Sequence, residues 1–216
     1  MMDDIELRRQ IVDAMVKMDA RGLNRGTAGN VSARAEGGML ITPSGVVPER
    51  LSAEQIVFVA DDGTWDESGL KPSSEWRMHL GILQRRADAN AVIHCHSRHA
   101  TILACAGIPI PALHYMIAVS GGAEVAVAPY ETFGTEELAK SIADTLGAHR
   151  RACLLANHGQ IAIGRSLGEA FIIADEIEEQ AAVYCGTLAI GGPKLLDNGE
   201  MMKIGLAFMA YGQRKD

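Results

Sequence analysis

From His99 to Ala123 the chain runs for 25 residues without an Asp, Glu, Lys or Arg. A stretch that long and apolar either crosses a membrane or is buried inside a folded protein. Pro109 and Pro111 stand near its centre, where they remove helical hydrogen bonds, and Gly107, Gly121 and Gly122 weaken a helix further. His114 and Ser120 would need polar partners inside lipid. A buried helix followed by a buried loop is therefore expected, and no membrane span. The rest of the chain agrees. With 216 residues, 48% hydrophobic and 22% charged, it has the composition of an ordinary globular protein with room for a core. A formal net charge of -7 offers no general positive field to nucleic acid or an anionic membrane. The first residues, Met1-Met2-Asp3-Asp4, are acidic where a secretory leader needs a basic start. Cys95, Cys105, Cys153 and Cys185 stand singly in apolar runs, as buried thiols of a reducing compartment do. A cytoplasmic protein is expected.

No linker or internal repeat divides the chain, so one domain over 1–216 is expected. Leu7, Ile11, Ala14, Met15 and Met18 recur at helical spacing, and that helix ends before Gly22. Met39–Ile41 and Ile56–Val59 read as strands, and Asp61-Asp62-Gly63-Thr64 has the turn chemistry of a hairpin. Pro72 followed by Ser73 and Ser74 predicts a helix from there to about Arg86. Ala91–His96 reads as a strand, with Ser97 capping a further helix. Glu124–Ala128 and Ala152–Ala156 read as strands, separated by a helix over Thr135–Leu146. Ser166 and Glu169 form a capping box ahead of a helix to about Ile190, and a last helix runs from about Asn198 to Tyr211. Interleaved helices and strands, with a hairpin signal, predict an α/β chain of α+β type: a three-layer αβα sandwich around a mixed, largely antiparallel sheet.

The chemistry concentrates in a few places. In His94-x-His96 strand alternation puts both imidazoles on one face, where they can converge on a metal or make ordinary hydrogen bonds. His158, at the end of another buried strand in Asn157-His158-Gly159, could supply a third nitrogen and leave a fourth position open. His79 lies one helical turn after Glu75 and could pair with it. His79, His99, His114 and His149 read as hydrogen-bonded or surface residues. Pro72-Ser73-Ser74-Glu75 offers hydroxyls and free N–H groups at a helix start, a cradle for an anion or a plain cap. Gly26-Thr27-Ala28-Gly29-Asn30 and Thr42-Pro43-Ser44-Gly45 can bring backbone amides close to a phosphate. Neither fits a P-loop or dinucleotide glycine pattern.

Taken in order, Gly22 to Ser32, Leu40 to Gly45, Pro72 to Arg77, His94-x-His96, His114 to Ala118, Phe133-Gly134-Thr135 and Asn157-His158-Gly159 resemble the class II aldolase/adducin family, and most closely its bacterial members that cleave L-fuculose 1-phosphate. The resemblance covers nearly the whole chain. It implies a zinc site, or one for another divalent transition metal, made by His94, His96 and His158 with Glu75 on or near the ion. Glu75 would accept and donate the proton. Gly29, Asn30, Ser44, Gly45, Ser73 and Ser74 match the family's phosphate-binding positions. Tyr115 matches a tyrosine that reaches into a neighbouring subunit's site. Phe133, Phe208 and Tyr211 match the lining of the aldehyde end. A homotetramer with sites at subunit interfaces is implied as well.

The implied reaction is reversible cleavage of a ketose 1-phosphate to dihydroxyacetone phosphate and a small aldehyde such as lactaldehyde. No Schiff-base lysine is needed, and Lys71 reads as solvated. A second substrate class is 5-(methylthio)ribulose 1-phosphate or 5-deoxyribulose 1-phosphate, which changes only the aldehyde pocket. Met202, Ala207 and Met209 suit an apolar or thioether group there, although methionine is also a core filler. A pentulose-phosphate 4-epimerase stands behind, because Pro111-Ala112-Leu113-His114-Tyr115 lacks that enzyme's acidic residue. A dehydratase of methylthioribulose 1-phosphate fits Tyr115 to Gly122 less well. A non-enzymatic adducin-like module predicts degraded metal positions, whereas all three histidines and Glu75 are present.

Overall fold

A computed structural model describes residues 4–210. The opening amphipathic segment forms α1 (Asp4–Ala20). A hairpin of β1 (Asn30–Ala35) and β2 (Gly38–Ile41) follows, then β3 (Val57–Ala60) and α2 (Trp76–Arg85). β4 (Ala91–Cys95) leads into α3 (Arg98–Ala106), and a 3₁₀ helix covers Tyr115–Ser120. The chain continues through β5 (Val127–Ala128), α4 (Glu136–Leu146), β6 (Ala152–Leu155) and β7 (Gly159–Gly164). It closes with α5 (Leu167–Ala189) and α6 (Asn198–Ala210).

The seven strands form one sheet in the order β3-β2-β1-β4-β7-β6-β5. Every pairing is antiparallel except β5 with β6. Alternation sends side chains to two cores. Leu40 and Ile93 pack with Ile11, Met18, Leu103 and Ile177 from α1, α3 and α5. Met39, Ile41, Val92 and Ile161 pack with Leu83 and Ile142 from α2 and α4. Helices thus cover both faces, which is the three-layer sandwich the sequence predicts.

The structure corrects several local expectations. α2 begins at Trp76, not at the serines, and Glu75 is its N-cap. Asp61-Asp62-Gly63 does turn, with the Ala60 N–H on the Thr64 carbonyl, but no strand of the sheet follows it. The predicted strand over Glu124–Ala128 shrinks to Val127–Ala128 plus one bridge between Ile110 and Val125. The Ser97 side chain does not cap α3; the Glu178 carboxylate from α5 does, taking the His99 and Ala100 N–H groups at 2.9 and 3.0 Å. The charge-free run is not wholly buried, since Ile102 and Tyr115 are about half exposed, and Cys105 is exposed while Cys95 and Cys153 are buried. Among the described residues no helix is long and apolar enough to cross a membrane.

Candidate metal centre

β4 lies between β1 and β7, and its register sets His94 opposite Asn30 on one side and Ile161 on the other. His94 shares the parity of Val92, so its ring points to the α2 face, where Glu75 waits at the helix start. His96 follows two residues later, just past the strand. His158 arrives from the β6–β7 turn, in which Asn157 takes φ 56°, a left-handed conformation that asparagine tolerates. Gly159 lets that turn approach closely: a Cβ there would stand 2.5 Å from the Cys95 carbonyl oxygen and 3.1 Å from the His96 ring.

The three imidazoles face one another with centroids 4.7–4.9 Å apart. One ligand atom from each of Glu75, His94, His96 and His158 lies within 4.8 Å of every other. His94 Nδ1 is 2.9 Å from the Gln160 carbonyl oxygen, which can only accept, so Nδ1 carries the proton and Nε2 presents a lone pair. Burial pushes His94 down to about 3, and it lowers His96 as well, so neither ring is charged near neutral pH. Burial alone raises Glu75, but His94 and His158 beside it, with a hydrogen bond from Asn30, hold its carboxyl well below the usual carboxylate range. His94 Nε2 then stands 2.9 Å from His96 Nε2 and 3.3 Å from Glu75 Oε2. His158 Nε2 is 3.1 Å from Glu75 Oε1, a buried oxygen with no hydrogen bond. The lone pair of neutral His94 Nε2, aimed at an ionised carboxylate, attracts it only if a cation sits between them. The donor set fits a divalent metal ion.

The predicted phosphate loops converge beside this cluster. Pro43 bridges to Pro72, Ser44 N–H reaches the Lys71 carbonyl and Ser73 N–H the Thr42 carbonyl, both at 3.0 Å. Val31 N–H donates to Thr42 Oγ1, and Asn30 Nδ2 donates to Glu75 Oε2 at 2.9 Å. Segments 29–31, 42–45 and 71–75 are thereby one assembly. Ser44, Gly45 and Ser74 are open at its surface, while Ser73 is buried with its hydroxyl accepting from the Glu75 N–H. Gly29 (φ 76°) packs against Asn24, whose amide oxygen accepts from the His96 N–H at 3.4 Å. Gly134 lies on the Ser74 carbonyl and carries the neighbouring, exposed Phe133 to this rim.

Tyr115 is not part of the cluster within one chain. Its ring neighbours are His114, 4.6 Å away, and Phe208, 6.2 Å away. Met202 and Ala207 are exposed on α6, and Tyr211 and the Met209 side chain lie outside the described residues. His79 does not pair with Glu75 directly; Asn30 stands between them. Sequence reasoning missed Gln160, whose carbonyl fixes the His94 tautomer, and Asn24, because nothing local marks either as a neighbour of the histidines.

The profile of the Class II Aldolase and Adducin N-terminal domain matches residues 9–185. The chain belongs to the class II aldolase and adducin family. It is 46% identical over 214 residues to the L-fuculose phosphate aldolase of Escherichia coli strain K12, covering 99% of both chains. It is also 46% identical over 208 residues to the 5-methylthioribulose-1-phosphate/5-deoxyribulose-1-phosphate aldolase of Rhodospirillum rubrum, covering 96% of this chain and 93% of that one. A solved L-fuculose 1-phosphate aldolase superposes with a TM-score of 0.91 at 40% identity, over 94% of this chain and 96% of the other. With full-length aldolase relatives and the Glu/His cluster intact, this family member is a class II aldolase, a lyase.

Proposed function

We propose that this class II aldolase reversibly cleaves a ketose 1-phosphate, of the L-fuculose 1-phosphate type, to dihydroxyacetone phosphate and a small aldehyde such as lactaldehyde. The observation that carries this reading is the junction of two devices in one place: a Glu/His₃ cluster, and a three-loop cradle tied to it through Asn30 and Glu75. Zinc is the metal we assign, because three imidazoles and a carboxylate are its usual donors. Held by His94, His96, His158 and Glu75, it supplies Lewis-acid polarisation of the substrate's carbonyl and hydroxyl oxygens.

The remaining roles belong to the chain. Gly29, Asn30, Ser44, Gly45, Ser73 and Ser74 bind the phosphate through neutral amides and hydroxyls, which suits an acidic protein. Glu75 moves the proton. Asn30 anchors its Oε2, so the Oε1 atom, free of hydrogen bonds, is the one that takes a proton during cleavage and returns it in synthesis. Tyr115 serves a neighbouring subunit's site by donating a hydrogen bond to the aldehyde oxygen, within a homotetramer. Phe133 and Tyr211 line the aldehyde end. The whole chain, 1–216, acts as one domain in the cytoplasm.

The Rhodospirillum rubrum relative favours a second reading, with 5-(methylthio)ribulose or 5-deoxyribulose 1-phosphate as substrate. Synthesis from dihydroxyacetone phosphate with lactaldehyde, acetaldehyde or (methylthio)acetaldehyde tests both. The highest kcat/KM is expected with lactaldehyde. A clear preference for either other aldehyde moves the assignment to the second reading. Absence of product with all three, from zinc-loaded protein, overturns the aldol assignment. Glu75→Gln is expected to lose turnover in every case.

A further inference from the structure

We propose that His79 is a positioning residue of this site: its Nε2–H turns the Asn30 amide so that the nitrogen, and not the oxygen, faces Glu75. The inference rests on the proposed roles of Glu75 and Asn30 and adds the residue that makes them compatible.

The two ends of an asparagine amide are nearly the same size, so packing does not choose between orientations half a turn apart; hydrogen bonds do. At Asn30 one end meets Glu75 Oε2 at 2.9 Å and the other meets His79 Nε2 at 2.5 Å. An ionised carboxylate only accepts, so the end facing Glu75 is the NH₂ group. The Asn30 oxygen then needs a donor, and His79 Nε2 is the atom beside it. A neutral ring protonated at Nε2 leaves Nδ1 bare, and the Ser32 hydroxyl donates there across 2.7 Å. Every proton in the chain Ser32, His79, Asn30, Glu75 is thereby assigned, and every donor points toward the carboxylate.

The fold explains why these four meet. Asn30 and Ser32 stand two apart on β1 and share the sheet face of His94 and Val92, their register partners. His79 is one turn beyond Glu75 on α2, which covers that face. His79 is wholly buried, and burial pushes it down to about 4, so it donates without placing a positive charge under the metal centre. A lysine there would compete with the cation for Glu75. An apolar residue would leave the Asn30 oxygen unpaired and free the amide to turn its oxygen against the carboxylate.

A double-mutant cycle in the full-length protein tests this, using His79→Met, Asn30→Ala and both together. Zinc affinity, from titration against a chelating dye, is read beside kcat, KM and the urea midpoint. His79→Met is expected to weaken zinc binding and lower kcat roughly ten-fold, the worth of one buried hydrogen bond beside a charged group. His79→Gln, which keeps a donor, should recover most of that loss. In the Asn30→Ala background His79→Met should change nothing further. Additive losses, or a folded His79→Met with unchanged zinc affinity and kcat, overturn the proposal. If His79→Met does not fold, Ser32→Ala reads the same chain from its far end, and unchanged zinc affinity and kcat there overturn it equally. The zinc arm needs no turnover. A wild type without aldol activity therefore fails the functional reading alone, while intact cleavage with an additive cycle fails this inference alone.

Discussion

Two histidines on the α2 face of the sheet, His79 and His94, are buried and neutral, and that has a cost in acid. Burial holds His79 at about 4 and His94 at about 3, whereas an unfolded histidine titrates near 6.5. Between those limits the unfolded chain binds protons that the native chain refuses. Stability therefore falls as pH falls, by about 1.4 kcal/mol per pH unit for each histidine. Urea midpoints of metal-free protein should decline steadily from pH 6 to pH 5, and His79→Gln should make that decline shallower. A flat midpoint contradicts the neutral assignment. At this scale the sequence was legible where chemistry repeats a pattern: His94-x-His96 lies on one face because strands alternate, and His158 and Glu75 complete its donor set. Helical spacing offers Glu75 as one possible partner of His79 and a hydrogen-bonded role for the ring, but its actual neighbours, Asn30 and Ser32, come from a strand far away in sequence, and spacing along one helix does not reveal them.

Elements were legible where helical periodicity and caps agree, as at Thr135, whose side chain accepts from the Leu138 N–H at 3.2 Å. Two strands escaped. In β1, the polar residues Asn30 and Ser32 face the site rather than solvent, so their alternation with Val31 and Ala33 did not read as an amphipathic strand. β7 is buried on both faces and bounded by glycines, which gives no period at all. The start of α2 was misplaced because serine is a good cap; here the Ser73 hydroxyl serves the Glu75 N–H instead. α3 shows a related substitution of a distant group for a local one. Glu178 from α5 caps the helix that follows His96 directly, and it also pairs with His99 Nδ1 at 2.8 Å. Glu178→Ala should cost about 1–2 kcal/mol in urea unfolding, with Glu178→Gln costing less because it keeps an acceptor. Equal losses in both variants would assign the effect to charge rather than to capping.

For the whole molecule, Tyr115 and Phe208 stand beside a groove of about 1400 Å³ that Val119, Ile172 and Met202 help to line, and Ile172 and Met202 are more than half exposed. Arg151, Arg165 and Glu169 line the groove as well, and a mixed surface of this kind suits the proposed tetramer, in which Tyr115 of one subunit acts on the metal centre of the next. Tyr115→Phe and His94→Ala should each be nearly inactive alone. Subunit exchange between the two variants should restore activity, because some mixed sites combine an intact His94 with an intact Tyr115. Mixtures no more active than either parent would place Tyr115 within its own subunit or outside the site. The sheet order carries one more consequence. β4 brings His94 and His96 early and can pair at once with β1, but its other neighbour is β7, and His158 lies in the turn that leads into β7. A chain still growing on the ribosome holds two imidazoles and a carboxylate long before it holds the third imidazole. For the proposed ion, tight uptake must await the emergence of residue 158 and the late pairing of β7, so metal capture marks completion of the sheet, ahead of α5 and α6.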